Sequence, residues 1–439
     1  MPPTTTRIGS GAGFAGDRID PAVALARHGG LDDLVLECLA ERTIALGQRR
    51  RLAAPDTGYD PRLEQRLTAL LPDLVAGGVR LITNMGAANP PAAGLIVREY
   101  LDRLGSTAPV AVVTGDDVLD RIDPDARAAE DGRPLRAHGE LVSAHAYLGA
   151  DALSSALGTG AAVVVTGRVA DPSLFLAPLA DRLGWDLADP AYAAAGTLAG
   201  HLLECAGQLT GGYAADPGRF DVPDLARLGF PYADVGADGS ARYGKLAGTG
   251  GRLDRHTVRE QLLYEVTDPT GYRTPDVLLD LREVRVDDDG PDRVRVTGAR
   301  GWPRPDELKV SVGYRAGHRL EAGISYVGPN ASARARLAAD VIADRVRGLA
   351  TDPRIEVRGG ETDARLRVAA RDHDTGVLDT LAHEVEALYT NGPAGGGGVR
   401  AHVDEVIGVL STLVRRDAVT PRVTLLGADR AGRRADDDR

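Results

Sequence analysis

Four short, nearly continuous apolar runs mark the first half of the chain: LVL at 34–36, VRLIT at 79–83, VAVVT at 110–114 and AVVVT at 162–166. Runs of this kind are expected in strands of a parallel sheet that is covered on both faces. Each leaves into a loop of polar and small residues, and a further short strand is expected beside GSGAGFAGDR. Between them, helical periodicity predicts helices over Asp60–Val75, Ala92–Leu104 and Leu141–Leu157. Strand alternating with helix predicts an α/β fold: a doubly wound, mostly parallel sheet with helices on both faces.

The texture changes after Gly212. Residues 213–275 are rich in Gly, Asp and Pro, with one helix expected within GKLAGTGGRLDRHTVREQLLYEV. From 276 the runs DVLLDLREVRV, DRVRVTGARG and ELKVSVGYRAGHRLEAGISYVG read as strands, followed by a helix over Ala331–Leu349. The expected domains are therefore an α/β domain over 1–215, a connecting region over 216–275, a C-terminal α+β sandwich over 276–426 and a polar tail over 427–439.

At 439 residues the chain exceeds one ordinary core. No apolar run reaches the roughly 18 residues needed to span a bilayer, so no membrane association is expected. The start, MPPTTTRIGSG, has neither the basic nor the apolar stretch of a secretory signal. With only Cys38 and Cys205 available for disulfides, the cytoplasm is the expected compartment. The net charge of -11 disfavours nucleic acid as a partner, while leaving small anions open through local amide nests.

In open α/β sheets ligands bind beyond the carboxyl ends of the strands, so the residues at each exit are the candidates. These are Asp17 after the glycine-rich loop, Glu37 with Glu41 one turn later, Asn84, Asp116, and Arg168 with Asp171. Carboxylates, an amide and a guanidinium converging beside small residues point to catalysis or binding; the plainer alternative is helix caps and turns. Gly11, Gly13 and Gly16 have G-x-G-x-x-G spacing, with Glu37 about twenty residues on. The preceding TTTRI is too polar for a buried first strand, so NAD is disfavoured and a phosphate or carboxylate held by loop amides is preferred.

In GTLAGHLLECAGQLTGGY, His201, Glu204 and Gln208 share a helical face. His201 and Glu204 could relay a proton or supply two ligands to a divalent metal; a solvated stripe is the ordinary alternative. His145 is a further candidate on the helix expected at Leu141–Leu157, against a structural role. Gly395 and Gly396, in PAGGGGV, are expected to form an anion nest or a loop closing on ligand. Each cysteine follows a glutamate, which raises a thiol pKa, so both are read as small buried hydrophobes. No G-x-S-x-G, Walker, zinc-spacing or HExxH pattern occurs.

The series GSGAGFAGDR, LVLECLAERTIA, NMGAANP, AYLGAD, VTGRVADPSL, HLLECAGQLTGGY, EQLLYEVTDP and NGPAGGGGV resembles, in order, the motifs of the acyclic terpene utilisation (AtuA) family over roughly 7–415. That resemblance implies a setting in branched acyclic terpenoid and acyl-CoA metabolism. The combined expectation is a homo-oligomeric lyase or hydratase acting on a branched hydroxyacyl or enoyl compound, as a CoA thioester or free carboxylate. Glu37 or Glu204 would be the base, His201 the proton shuttle, and Arg168 with the Gly11–Gly16 amides the anion anchor. The rival expectations are an accessory subunit that binds acyl ligands and a nicotinamide-dependent oxidoreductase.

Overall fold

The computed structural model describes residues 3–349 and 351–427; nearly all of the expected tail at 427–439 lies outside them. Among the described residues no helix is long and apolar enough to cross a membrane. The chain is mixed α/β and divides into two compact units, Met1–Gly132 with Ser143–Val312 and Val409–Arg439, and Arg133–Val142 with Gly313–Gly408.

The first unit opens β1 (Thr5–Ala12), α1 (Asp20–His28), β2 (Asp33–Leu36), α2 (Glu41–Ala53), α3 (Leu63–Gly77), β3 (Arg80–Thr83), α4 (Pro90–Arg103) and β4 (Val110–Thr114). It continues through the end of β5 (Leu141–Ala146), which begins in the second unit, then α5 (Asp151–Leu157), β6 (Val163–Thr166), α6 (Ser173–Leu183) and α7 (Pro190–Leu203). β1, β2, β3, β6 and β4 lie side by side in that order and run parallel, so their carboxyl ends share one edge. The apolar runs fill them: Leu34, Val35, Ile82, Val110 and Val164 are fully buried. Helices α1, α3 and α4 pack in one series, and α5, α6 and α7 in another.

The expected helix over Leu141–Leu157 is instead β5, a break, and α5. Its apolar positions suit either period, and pairing with a later strand decides for β. His145 therefore sits on a strand.

The expected connector at 216–275 is also corrected. It supplies the hairpin β7 (Pro231–Gly236) and β8 (Ala241–Lys245), then α8 (Arg255–Leu263) and the short β9 (Tyr272–Arg273). After β10 (Leu278–Asp280) come β11 (Arg285–Asp288), β12 (Arg293–Thr297) and β13 (Arg300–Trp302). β7, β8, β12 and β11 extend the same sheet from β1 in antiparallel fashion, so it is mixed rather than mostly parallel. Gly239, at φ +80°, makes the tight turn; the density of Gly and Asp had hidden the strand alternation. The polar start of β1 is accommodated there: Arg7 pairs with Asp234 at 2.6 Å and lies over the Tyr232 ring.

The boundary expected at 276 falls instead inside β14 (Glu307–Val327). In the second unit β14 pairs with β16 (Asp363–Asp372), flanked by β15 (Arg354–Gly359) and β17 (Gly396–Arg415). Its helices α9 (Ala331–Arg345) and α10 (Thr375–Asn391) join Leu320, Ile324, Leu366 and Val368 in one core, leaving a second sheet face without a helix among the described residues. β18 (Arg422–Leu426) returns to pair with β4 in the first unit.

Candidate functional site

The carboxyl edge of the parallel strands opens on a cavity of about 1040 Å³ within the first unit. Glu37 follows β2. Its Oε1 accepts from the Leu39 amide at 2.8 Å and from Asn84 Nδ2 at 2.9 Å, while Asn84 Oδ1 accepts from the Cys38 amide at 2.8 Å. Asn84, fully buried after β3, therefore positions Glu37 rather than meeting a ligand. Burial and the neighbouring Asp171 push the Glu37 carboxyl up to about 8, against the pull of Arg168. Since Oε1 already accepts two bonds, Oε2 is the oxygen suited to carry the proton.

Glu41 has the opposite character. Burial opposes its ionisation, yet hydrogen bonds from Tyr147 and Lys309 hold its carboxyl down at about 2. Two glutamates four residues apart on one cavity wall thus favour opposite protonation states near neutrality.

Arg168 is 1% exposed, and its guanidinium donates to the Leu39 and Val169 carbonyls and to Asp171. It also lies over the Tyr147 ring, 4.3 Å from the centroid. The expected anion anchor is thus bound within the protein wall, while Lys309 lines the cavity. Asp171 lines it too, its pKa raised by burial more than Arg168 lowers it.

His201 lies in the last turn of α7 and Glu204 caps it. Asp189 starts this helix by accepting from the Ala191 amide, with Pro190 at its first position. A Cβ at Gly200 would meet the Pro172 carbonyl at 2.4 Å, so glycine lets α7 lie against the start of α6. His201 is 0% exposed. Its Nε2 lies 3.2 Å from the Leu262 carbonyl, which only accepts, so Nε2 carries a hydrogen; Nδ1 faces Glu204 at 3.1 Å. Nδ1 and the carboxyl must then share one proton. Burial pushes Glu204 up to about 7 against the pull of His201. Burial lowers the His201 pKa, but Glu204 more than offsets this and raises it. The hydrogen-bond partners of this pair are each other and the Leu262 carbonyl, rather than the strand-exit residues Asn84 and Arg168. Glu204 Oε2 is buried without a hydrogen-bond partner among the described residues, on a residue that lines the cavity.

The other candidates are divided. Asp116 accepts from the Arg168 amide at 2.8 Å and meets His145 Nδ1 at 3.0 Å, a buried pair outside the cavity lining that braces the β6 exit. Asp17 accepts from the Gly13 amide at 2.8 Å, so the glycine loop is closed by its own carboxylate. Gly11 lies within β1, Gly16 packs beside Phe14, and only Gly13 of the three lines the cavity. A Cβ on Gly13 would meet the Cys205 backbone at 2.3 Å, which ties this loop to the end of α7. Gly395 (φ +76°) and Gly396 belong to the second unit, where β17 begins. Among the described residues no three His, Cys, Asp or Glu are grouped to hold a metal ion.

Sequence reasoning left out Tyr147, Lys309, Glu265 and Tyr272, which line the cavity from segments distant in the chain. A polar Tyr directly after β5 was the one local signal. Cys205 also lines the cavity, but burial and Glu204 hold its thiol far above the ordinary range; burial does the same at Cys38. Cys38→Ala and Cys205→Ala are therefore expected to retain most turnover, measured beside far-UV circular dichroism. A folded variant without turnover would make that cysteine the nucleophile.

A family model described as Acyclic terpene utilisation family protein AtuA matches residues 6–425. The chain belongs to the AtuA family. No curated protein matches this AtuA-family chain. Among solved structures it is similar to the de novo designed protein Ferredog-Diesel, at 17% identity over 21% of this chain and 88% of that one. The TM-score of 0.17 is too low to establish a shared fold.

Proposed function

We propose that this AtuA-family protein is an acid–base enzyme of the lyase or hydratase type. Its substrate on this reading is a branched hydroxyacyl or enoyl compound, carried as a CoA thioester or free carboxylate. The observation that carries the reading is one cavity lined by a carboxyl that favours its proton, Glu37, and by Glu204, which shares a proton with the buried His201 behind it. The cavity volume suits a substantial organic ligand. The family description, acyclic terpene utilisation, supports a branched chain.

In the dehydration direction Glu204, backed by His201, takes the proton from the carbon beside the carbonyl. Those C–H electrons form the new double bond as the C–O bond at the next carbon breaks. Glu37 gives its proton to the departing hydroxyl, which leaves as water. Of the cavity-lining cations Arg127, Arg273 and Lys309, Lys309 stands beside Glu41 and is assigned to meet the substrate's carbonyl or carboxylate, in the place first expected of Arg168.

The test is proton exchange in D2O, followed by NMR on a series of branched 3-hydroxyacyl and enoyl CoA esters and free acids. Deuterium should enter beside the carbonyl, with water gained or lost. Lys309→Ala should raise KM about tenfold or more for the preferred ester or acid. Saturable binding of these compounds without exchange or turnover would favour the acyl-binding accessory role instead.

A further inference from the structure

Away from the cavity, the second unit carries a concentration of positive charge that its own packing does not explain. Leu320, Ala322, Ile324 and Tyr326 of β14, and Leu366 and Val368 of β16, face the core beneath the helices. The alternate residues therefore form the opposite sheet face. There a recess of about 240 Å³ is bordered by Arg319, Arg365, Arg367 and Arg400, with His402, against only Glu321 and Asp404. The whole chain has a net charge of -11, so this cationic cluster runs against the protein's own composition.

The sheet register makes the clustering costly. Arg319 stands directly opposite Arg371 across β14 and β16, and Arg358 directly opposite Arg365 across β15 and β16. Like charges in directly opposed positions destabilise a sheet. Part of the cluster is neutralised internally, since Arg367 reaches Glu321 and Glu356, while Arg365 keeps its charge and donates to Ser325 Oγ at 2.8 Å. The side chains of Arg319 and Arg400 form no hydrogen bond or ion pair among the described residues. A Cβ at Gly323 would come within 3.1 Å of the Arg365 guanidinium, so glycine there leaves room for that group to lie along the sheet.

We propose that this recess binds a compact phosphate-bearing anion of the diphosphate class. Guanidinium groups match phosphate oxygens in planar, two-pronged fashion, and several around one small recess suit adjacent phosphates. A polynucleotide fits less well. The recess has no Phe, Tyr or Trp among its lining residues, and the acidic chain repels a long polyanion.

Isothermal titration of the full chain with inorganic pyrophosphate, at fixed ionic strength, tests the site. Saturable binding is expected, weakened at least tenfold in Arg319→Ala and in Arg400→Ala and abolished in the double variant. Pyrophosphate should raise the Tm of the wild type but not of the double variant. Without pyrophosphate the double variant should melt no lower than the wild type, because removing these charges relieves repulsion. Absence of saturation, equal effects from chloride at matched ionic strength, or binding unchanged in the double variant would each overturn the proposal. Single-stranded oligonucleotide outcompeting pyrophosphate would assign the face to nucleic acid instead.

Discussion

Glu204→Gln is expected to lower turnover about 100-fold or more while leaving a folded chain, the scale of a lost proton-transfer group. The glutamine amide keeps the size of the carboxyl and can donate to His201 Nδ1, so the α7 terminus need not collapse. What it cannot do is take a proton through the atom corresponding to Oε2, the unpartnered oxygen of this cavity-lining residue. His201→Ala makes a less clean comparison. It would leave both the Leu262 carbonyl and the Glu204 carboxyl without their partner in a fully buried place. Such orphaned groups cost roughly 1–3 kcal/mol each. A drop in Tm should therefore accompany the loss of turnover in His201→Ala and be small in Glu204→Gln. Near-wild-type rates in both variants would reduce the pair to a helix-end brace and remove the base from the proposed reaction.

Glu37→Gln is expected to cost a similar or larger factor in turnover, and to change the pH dependence of both rate and stability. In the wild type the acid must hold its proton, so turnover should fall as pH rises through about 8. In Glu37→Gln the residual rate should lack that limb. The linkage has a definite sign. The folded-state pKa lies above the ordinary value of 4.5, so between about 4.5 and 8 the native state holds a proton that the unfolded state has released. Stability must then decline as pH rises across that window, by at most about 1.4 kcal/mol per unit for this one group. Glu204, raised to about 7, adds a decline of the same sign over the lower part of the window. Urea unfolding at pH 5, 6, 7 and 8 should show a shallower decline in Glu37→Gln than in the wild type. Parallel curves would mean that Glu37 is ionised in the folded protein at neutral pH, and its role as the acid would fail.

Much of the candidate site was legible because in a parallel sheet every strand must leave in the same direction. Once the apolar runs at 34–36, 79–83, 110–114 and 162–166 are read as parallel neighbours, the residues after them are obliged to share an edge. Glu37, Asn84, Asp116 and Arg168 are linked there, through side chains or the intervening backbone. The spacing of His201 and Glu204 likewise fixes their contact, since three residues is less than one helical turn.

Sequence could not reveal which polar groups are spent on one another. Arg168 looks like an anion anchor until its donors are followed to Leu39, Val169 and Asp171. Asp17 looks like a ligand until it is found closing its own loop on Gly13. Nor could it show that Lys309 and Tyr147, 162 residues apart, both reach Glu41. That meeting depends on long-range pairing: the Tyr147 amide donates to the Lys309 carbonyl, which sets β14 beside the end of β5. The same pairing turned the first part of the helix expected over Leu141–Leu157 into the strand Leu141–Ala146, because its apolar positions fit both periods and only a partner strand could choose between them. The sequence alone thus determined the parallel edge and the chemistry delivered to it. Tertiary structure decided protonation: burial raises Glu37, while Tyr147 and Lys309 keep Glu41 ionised, and neither environment is local in the chain.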